Sequence, residues 1–164
     1  MVAEQPDPLL IVDGDNVAHL RGGPDDYQEV RAELAAAVID HAARSGIETV
    51  LVFDGHGRDR RMGRTQVRYA GSETADSVIE RLAHRHQSDR VVTVVSSDTV
   101  LRHVAQRGGV QAMSAREYVD RLAAAPSDEP PSPSGRIRYK LADSVDPAVK
   151  AELERIRRGQ KPDA

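Results

Sequence analysis

The sequence predicts a three-layer α/β domain built on a mainly parallel, five-stranded sheet, followed by a C-terminal tail. Three observations carry that prediction. Short β-rich apolar runs end in turn residues, and the segments between them repeat apolar side chains at helical spacing. The chain has 164 residues, room for one core and a short appendage at roughly 100–200 residues per domain. Strands alternating with helices require crossover connections, which are right-handed and lay the strands parallel with helices on both faces.

Leu9-Leu10-Ile11-Val12 is an unbroken apolar run that stops at Asp13-Gly14, the pattern of a strand buried on both faces before a turn. Past Gly22-Gly23-Pro24-Asp25, Val30, Leu34, Val38 and His41 recur at helical spacing, the alanines 35–37 and Ala42 favour the helix, and Gly46 stops it. Thr49 to Phe53 is the second strand, ending in Asp54-Gly55, and an Arg-rich loop leads to a weaker strand at Gln66 to Ala70. From Ser72 to His86, Ala75, Ile79 and Leu82 form one helical stripe. Val91 to Val95 is the most apolar strand. Ser96-Ser97-Asp98 follows, then a helix through Val100, Leu101, Val104 and Ala105 to Gly108-Gly109. Val110 to Met113 and a helix from Ser114 to Leu122 complete the domain, with the first strand expected at its centre.

The domain is therefore expected over residues 1–122. Residues 123–135, with Pro126, Pro130, Pro131 and Pro133 among Ser, Ala and acids, read as a Pro/Ser-rich linker. Residues 136–164 form a basic tail in which Val149, Leu153 and Ile156 mark one face of a candidate short helix.

Composition narrows the chemistry. With no Cys, a disulfide framework, a thiolate zinc site and a Cys nucleophile are excluded, and any metal must take oxygen or imidazole ligands. Lys140, Lys150 and Lys161 all lie in the tail, so Arg alone supplies positive charge in the domain. The formal net charge of -3 leaves polyanion binding to local patches or a bound cation. No apolar run approaches the roughly eighteen residues a membrane span needs. The first eight residues lack the basic segment of a secretory signal, so the expected location is the cytoplasm, with no membrane partner.

Loops at the carboxyl ends of parallel strands share one edge of the sheet, where sites form. Asp13 closes the first strand, Asp54 the second, and Asp98 follows the most apolar strand by way of Ser96 and Ser97. Asp76 starts the helix between them, and Glu80 lies four residues on along the same face. Carboxylates gathered this way repel one another and need a cation between them, for which Mg²⁺ or Mn²⁺ is the natural guest. Such an ion suits attack of water on a phosphodiester. Taken singly, each residue also has a structural reading: strand-end Asp is turn chemistry, and Asp98 can cap the helix after it.

The loop Arg58-Asp59-Arg60-Arg61-Met62-Gly63-Arg64, with Arg68 beyond it, is a candidate grip for an RNA backbone, because phosphate contacts position a strand without reading its sequence. A solvated Arg-rich loop is the competing reading. Aromatic side chains are few, and Tyr69 is the one candidate platform for stacking a base.

Asp13-Gly14-Asp15-Asn16-Val17 after an apolar strand, Val52-Phe53-Asp54, Glu73-Thr74-Ala75-Asp76-Ser77 running into Ile79-Glu80, and Ser96-Ser97-Asp98 occur in an order that resembles the NYN domain family, YacP-like branch. The resemblance covers about residues 9–122, including Ser114-Ala115-Arg116-Glu117. It implies a PIN-like fold and a metal-dependent endoribonuclease, here expected to hydrolyse phosphodiester bonds of single-stranded RNA. It implies a catalytic set of Asp13, Asn16, Asp76 and Asp98, of which the three aspartates hold the metal. Asp15, Asp54, Glu80 and Ser97 are expected to support them, and Arg58, Arg60, Arg61, Arg64 and Arg68 to bind RNA. Many relatives carry an aromatic residue where this chain has Asp15, so the site gains a carboxylate. Residues 123–164 fall outside the resemblance and are a candidate segment for RNA or a protein partner.

Two rival readings use the same residues. A non-catalytic RNA-binding or scaffolding module would keep the fold without hydrolysis. Asp13-x-Asp15 after a strand also fits the nucleophile loop of haloacid dehalogenase-type phosphatases, but that chemistry wants a Lys, absent from the domain, and a paired acidic motif where only Asp98 stands.

Overall fold

The computed structural model describes residues 6–21 and 26–124; the linker beyond Ala124 and the basic tail lie outside the described residues. Eleven elements follow in order: β1 (Pro8–Asp13), α1 (Gly14–Arg21), α2 (Tyr27–Ser45), β2 (Glu48–Phe53), β3 (Arg60–Met62), β4 (Thr65–Tyr69), α3 (Ala75–His86), β5 (Val91–Val95), α4 (Thr99–Arg107), β6 (Gln111–Met113) and α5 (Ala115–Ala123). The sheet has six strands in the order β3-β4-β2-β1-β5-β6. All neighbours are parallel except the antiparallel pair β3 and β4.

Two elements depart from the sequence expectation. β3 lies inside the expected Arg-rich loop and makes the sheet six-stranded rather than five-stranded. It is an edge strand exposed along its whole length, so it carries no alternation to read and exists through backbone pairing with β4. α1 starts directly after Asp13, where turn chemistry was expected. Its eight residues are too few to be stable alone, and it is held by burial of Val17 and Ala18 among Leu34, Val38 and Tyr118.

Alternation along the strands sorts the core into two layers. Leu9, Ile11, Val50, Val52, Val92 and Val94 face α3 and α4 through Val78, Ile79, Leu82 and Leu101. Leu10, Val12, Leu51, Phe53, Val67 and Met113 face α1, α2 and α5 through Val17, Leu34, Val38 and Tyr118. Caps fix where the helices begin. The side chain of Asp26 accepts from the Gln28 and Glu29 N–H groups at the start of α2, and Thr74 accepts from the Ser77 N–H at the start of α3. Gly46 ends α2 in the left-handed region at φ 71°. Among the described residues no helix is long and apolar enough to cross a membrane.

β1 pairs with β2 on one side and β5 on the other. The chain leaves β1 towards β2 and β4, then returns across it to β5 by way of α3, so strand order reverses between β1 and β5. The crevice at the carboxyl ends of these two strands is the topological switch point, where ligands bind in folds of this kind.

Candidate active site

Asp13 is the last residue of β1 and continues the Leu9 and Ile11 row, on the face covered by α3. It is 3% exposed. Its two carboxylate oxygens are held by Asn16: Oδ2 accepts from the side-chain amide at 2.6 Å and Oδ1 from the backbone N–H at 3.4 Å. The same amide donates to Ser96 Oγ at 3.1 Å, and that hydroxyl oxygen also accepts from the Asp98 N–H at 3.0 Å. Asn16 and Ser96 thus tie the end of β1 to the start of the loop after β5. Asp98 caps α4, with Oδ1 accepting from the Val100 and Leu101 N–H groups, so its capping reading is true without consuming its second oxygen.

α3 delivers the third carboxylate. Asp76 is exposed in its first turn, and Asp54, at the end of β2, accepts from the Ala75 N–H at 2.8 Å. Burial pushes the Asp13 carboxyl up to about 6 against the opposing Asn16 hydrogen bonds, with the Asp76 and Asp15 charges adding to the rise. Asp76 is raised too, by burial and then by the charges of Asp98, Asp54 and Glu80. The charges that raise Asp76 are thus carboxylates, and Asp76 in turn raises Asp13, so Asp13, Asp54, Asp76, Glu80 and Asp98 are linked electrostatically.

The donor chemistry fits a hard divalent cation, since all the side chains concerned are oxygen donors of like charge. Among the described residues no group of three or more His, Asp or Glu is gathered closely enough to hold an ion by itself.

Asp15 stands apart from this cluster. Its Oδ1 accepts from Arg31 Nε at 3.0 Å and Nη2 at 2.7 Å and from the Tyr27 hydroxyl, and its Oδ2 accepts from the Asp54 N–H at 2.7 Å. Burial works against its charge, but the hydrogen bonds from Tyr27, Asp54 and Arg31 outweigh it and hold the carboxyl below the usual range. The Tyr27 hydroxyl is correspondingly pushed up to about 12 by burial and by Asp15. The extra carboxylate is thus neutralised by Arg31 and engaged on both oxygens, which denies it the acid–base role of a phosphatase nucleophile loop.

Sequence reasoning missed Arg31, although it stands four residues from Tyr27 and three from Leu34, on the stripe α2 buries. An Arg on an apolar stripe signals a buried partner. It also passed over Ser96, which is fully buried, in phase with Val92 and Val94 and bonded to Asn16, whereas the expected supporting residue Ser97 is exposed.

The Arg-rich segment divides between the two ends of the sheet. β3 runs antiparallel to β4, so Arg58 lies near Tyr69 at the carboxyl edge, where the Asp59 side chain accepts from the Tyr69 N–H. Arg64 lies at the opposite edge, its carbonyl accepting from the Thr49 N–H at the start of β2. Arg61 pairs with Glu48 at 3.5 Å, also at that far end, and the register puts Arg60 on the face of Val67, away from Asp13. Arg68 pairs with Val52, which in turn pairs with Asp13, so all three share one row and face. Its guanidinium reaches Asp59 at 3.9 Å. Of the five arginines, Arg58 and Arg68 border the site by this geometry. Tyr69 packs against Phe53 with ring centroids 5.7 Å apart and against the Gly57 backbone, where a Cβ would sit 2.5 Å from the ring. Those neighbours occupy the ring that sequence alone offered as a base platform.

Comparison with known proteins adds three findings. A family model described as the YacP-like NYN domain matches residues 10–158, well into the tail that the sequence motifs left outside. A crystal structure of a mutant of Rae1 (YacP) from Bacillus subtilis is similar at 26% identity and TM-score 0.61, over 71% of this chain and 75% of that one. A second crystal structure of Rae1 (YacP) from the same organism is similar in fold at 21% identity and TM-score 0.61, over 92% of this chain and 80% of that one. No curated protein sequence matches the chain.

Proposed function

Because the chain belongs to the YacP-like NYN domain family, with its PIN-like ribonuclease fold, we propose that it is a metal-dependent endoribonuclease that cleaves single-stranded RNA. The observation that carries this reading is the cluster at the switch point. A carboxylate buried at a strand end has its pKa pushed up to about 6, in part by Asp76, which is itself raised by the charges of Asp98, Asp54 and Glu80. An arrangement of that kind is unfavourable in the free protein and is relieved by a cation.

Asp13, Asp76 and Asp98 would supply carboxylate oxygens towards Mg²⁺ or Mn²⁺, with waters and substrate phosphate needed to complete its shell. When bound, such an ion supplies charge neutralisation for the phosphodiester and a more acidic water to attack it. The side chains do the rest. Asn16 fixes both oxygens of Asp13, Ser96 holds Asn16 and the Asp98 peptide in register, and Asp54 and Glu80 keep the field around Asp76 negative. Hydrolysis adds water across one phosphorus–oxygen bond, the proton passing to the leaving oxygen.

The test is incubation of the full chain with labelled single-stranded RNA, with Mg²⁺ or Mn²⁺ and with EDTA, beside Asp76→Asn. Internal cleavage only with metal, lost in the variant, is the expected result. Cleavage that survives the substitution assigns the activity elsewhere, and RNA binding without cleavage under every condition favours the non-catalytic module.

RNA binding has its own expected signature. If Arg58 and Arg68 contact phosphates, each contributes about -0.7 to the slope of log affinity against log salt. Arg58→Ala with Arg68→Ala should flatten that slope by about 1.4 and raise KM more than it lowers kcat. Replacing Arg61 and Arg64, at the far edge, should leave the slope unchanged. A filter-binding titration in Mg²⁺-free buffer at three salt concentrations reads the slope.

A further inference from the structure

Arg31 does more than neutralise Asp15. The guanidinium that grips Asp15 Oδ1 also donates from Nη2 to the Asp54 carbonyl at 3.3 Å, while Asp15 Oδ2 accepts from the Asp54 N–H. Residue 54 is therefore held at both its N–H and its carbonyl by one ion pair. Its side chain in turn accepts from the Ala75 N–H, the first helical residue of α3, and the next residue is Asp76. The ion pair is 2.7 Å long, with both side chains about 13–14% exposed. The Arg31 guanidinium lies 4.8 Å from the Tyr27 ring centroid and 4.9 Å from that of Phe53. A guanidinium packed between two rings and engaged by three hydrogen bonds has little freedom left, and a Lys ammonium could not reproduce this planar fork.

We propose that Arg31 and Asp15 are positioning residues for the carboxylate site: they fix the Asp54 backbone, and through its side chain the start of α3, so that Asp76 is presented to Asp13. The inference deepens the ribonuclease reading and rests on it for its kinetic consequence. The relay joins three elements that meet at the carboxyl edge of the sheet, α1 through Asp15, α2 through Arg31 and the end of β2 through Asp54, to the helix that carries the exposed acid. No member of the ion pair needs to touch RNA.

The experiment compares Arg31→Ala, Asp15→Asn and the double variant of the full chain with Arg44→Ala, which removes an exposed α2 ion pair to Asp40 far along the same helix. Two readouts are taken: amide hydrogen exchange, which needs no activity, and RNA cleavage kinetics in saturating metal. The proposal expects exchange at the Asp54 and Ala75 N–H groups to quicken about 10-fold or more while Val94 in β5 stays protected. It expects kcat to fall 10- to 100-fold, the range for residues that orient ligands from behind, with KM little changed. The double variant should be no worse than the poorer single one, since both act through one contact, and Arg44→Ala should match the parent in both readouts. Unchanged exchange at Ala75 overturns the relay, as does unchanged kcat with faster exchange. A raised KM at constant kcat also overturns it and makes Arg31 an RNA contact. If the parent cleaves no RNA, the ribonuclease reading fails while the exchange arm still decides whether the pair holds α3.

Discussion

Asp13→Asn should abolish RNA cleavage and yet leave the metal-free protein more stable at neutral pH. The stability half follows from linkage. Burial holds the folded carboxyl at about 6 against its ordinary value of 3.8, so between those values the folded state holds more protons than the unfolded one. Stability therefore falls as pH rises from about 4 to about 6 and stays lower above it. The difference corresponds to roughly 2–3 kcal/mol. An Asn keeps the shape without the charge. It also loses one acceptor towards Asn16, so the net gain is smaller, about 1–2 kcal/mol, or several degrees in Tm. The gain should appear at pH 7.5, vanish at pH 4, and shrink when Mg²⁺ or Mn²⁺ is added, because the ion stabilises only the parent. Cleavage should fall at least about 100-fold, the top of the range for groups that merely support a metal ligand. Thermal melts at two pH values and a cleavage assay check both halves. A variant destabilised equally at both pH values would mean that Asp13 is not held against its own charge.

Gly14→Ala should be the most damaging small substitution in the domain. Gly14 begins α1 directly against the end of β2, where a Cβ would lie 2.5 Å from the Phe53 ring and 2.9 Å from the Val52 carbonyl oxygen. Neither neighbour can yield cheaply. Phe53 is 1% exposed and packed against Tyr69 and under Arg31, and the carbonyl belongs to a central strand. Overpacking of this kind costs about 1–3 kcal/mol and sometimes more, and because backbone is involved the upper end is expected, a fall in Tm of roughly 10 °C. Any shift of α1 also moves Asn16 and Asp15. A urea titration checks it, and an unchanged midpoint would show that α1 can slide.

Much of this protein is legible without coordinates. β5 runs over Val91–Val95 as the apolar run predicts, α2 ends at Gly46, and the first strand is central because its residues are apolar on both faces. Asp13, Asp54 and Asp98 stand at strand ends on one edge because a parallel sheet puts every carboxyl end there. The order of motifs was enough to indicate the family, though the family model runs to residue 158, past the motifs.

What the sequence determined by itself is what repeats locally: strands, the longer helices, their caps, and hence the edge on which the acids collect. Tertiary structure alone decided the rest. β3 and α1 form because β4 and the α2–α5 face are there to pair with and pack against: a three-residue exposed edge strand and an eight-residue helix carry too little pattern of their own to be read from the chain. Arg64 and Arg61 left the site because an antiparallel turn carried them to the far edge. Asp15 is held in an ion pair rather than left as one more free carboxylate because Arg31, sixteen residues away, closes on it. Contacts of that separation leave no period in the chain. Their partners are chosen by which faces the folded sheet brings together, and a buried charge goes to whichever opposite charge that geometry places beside it.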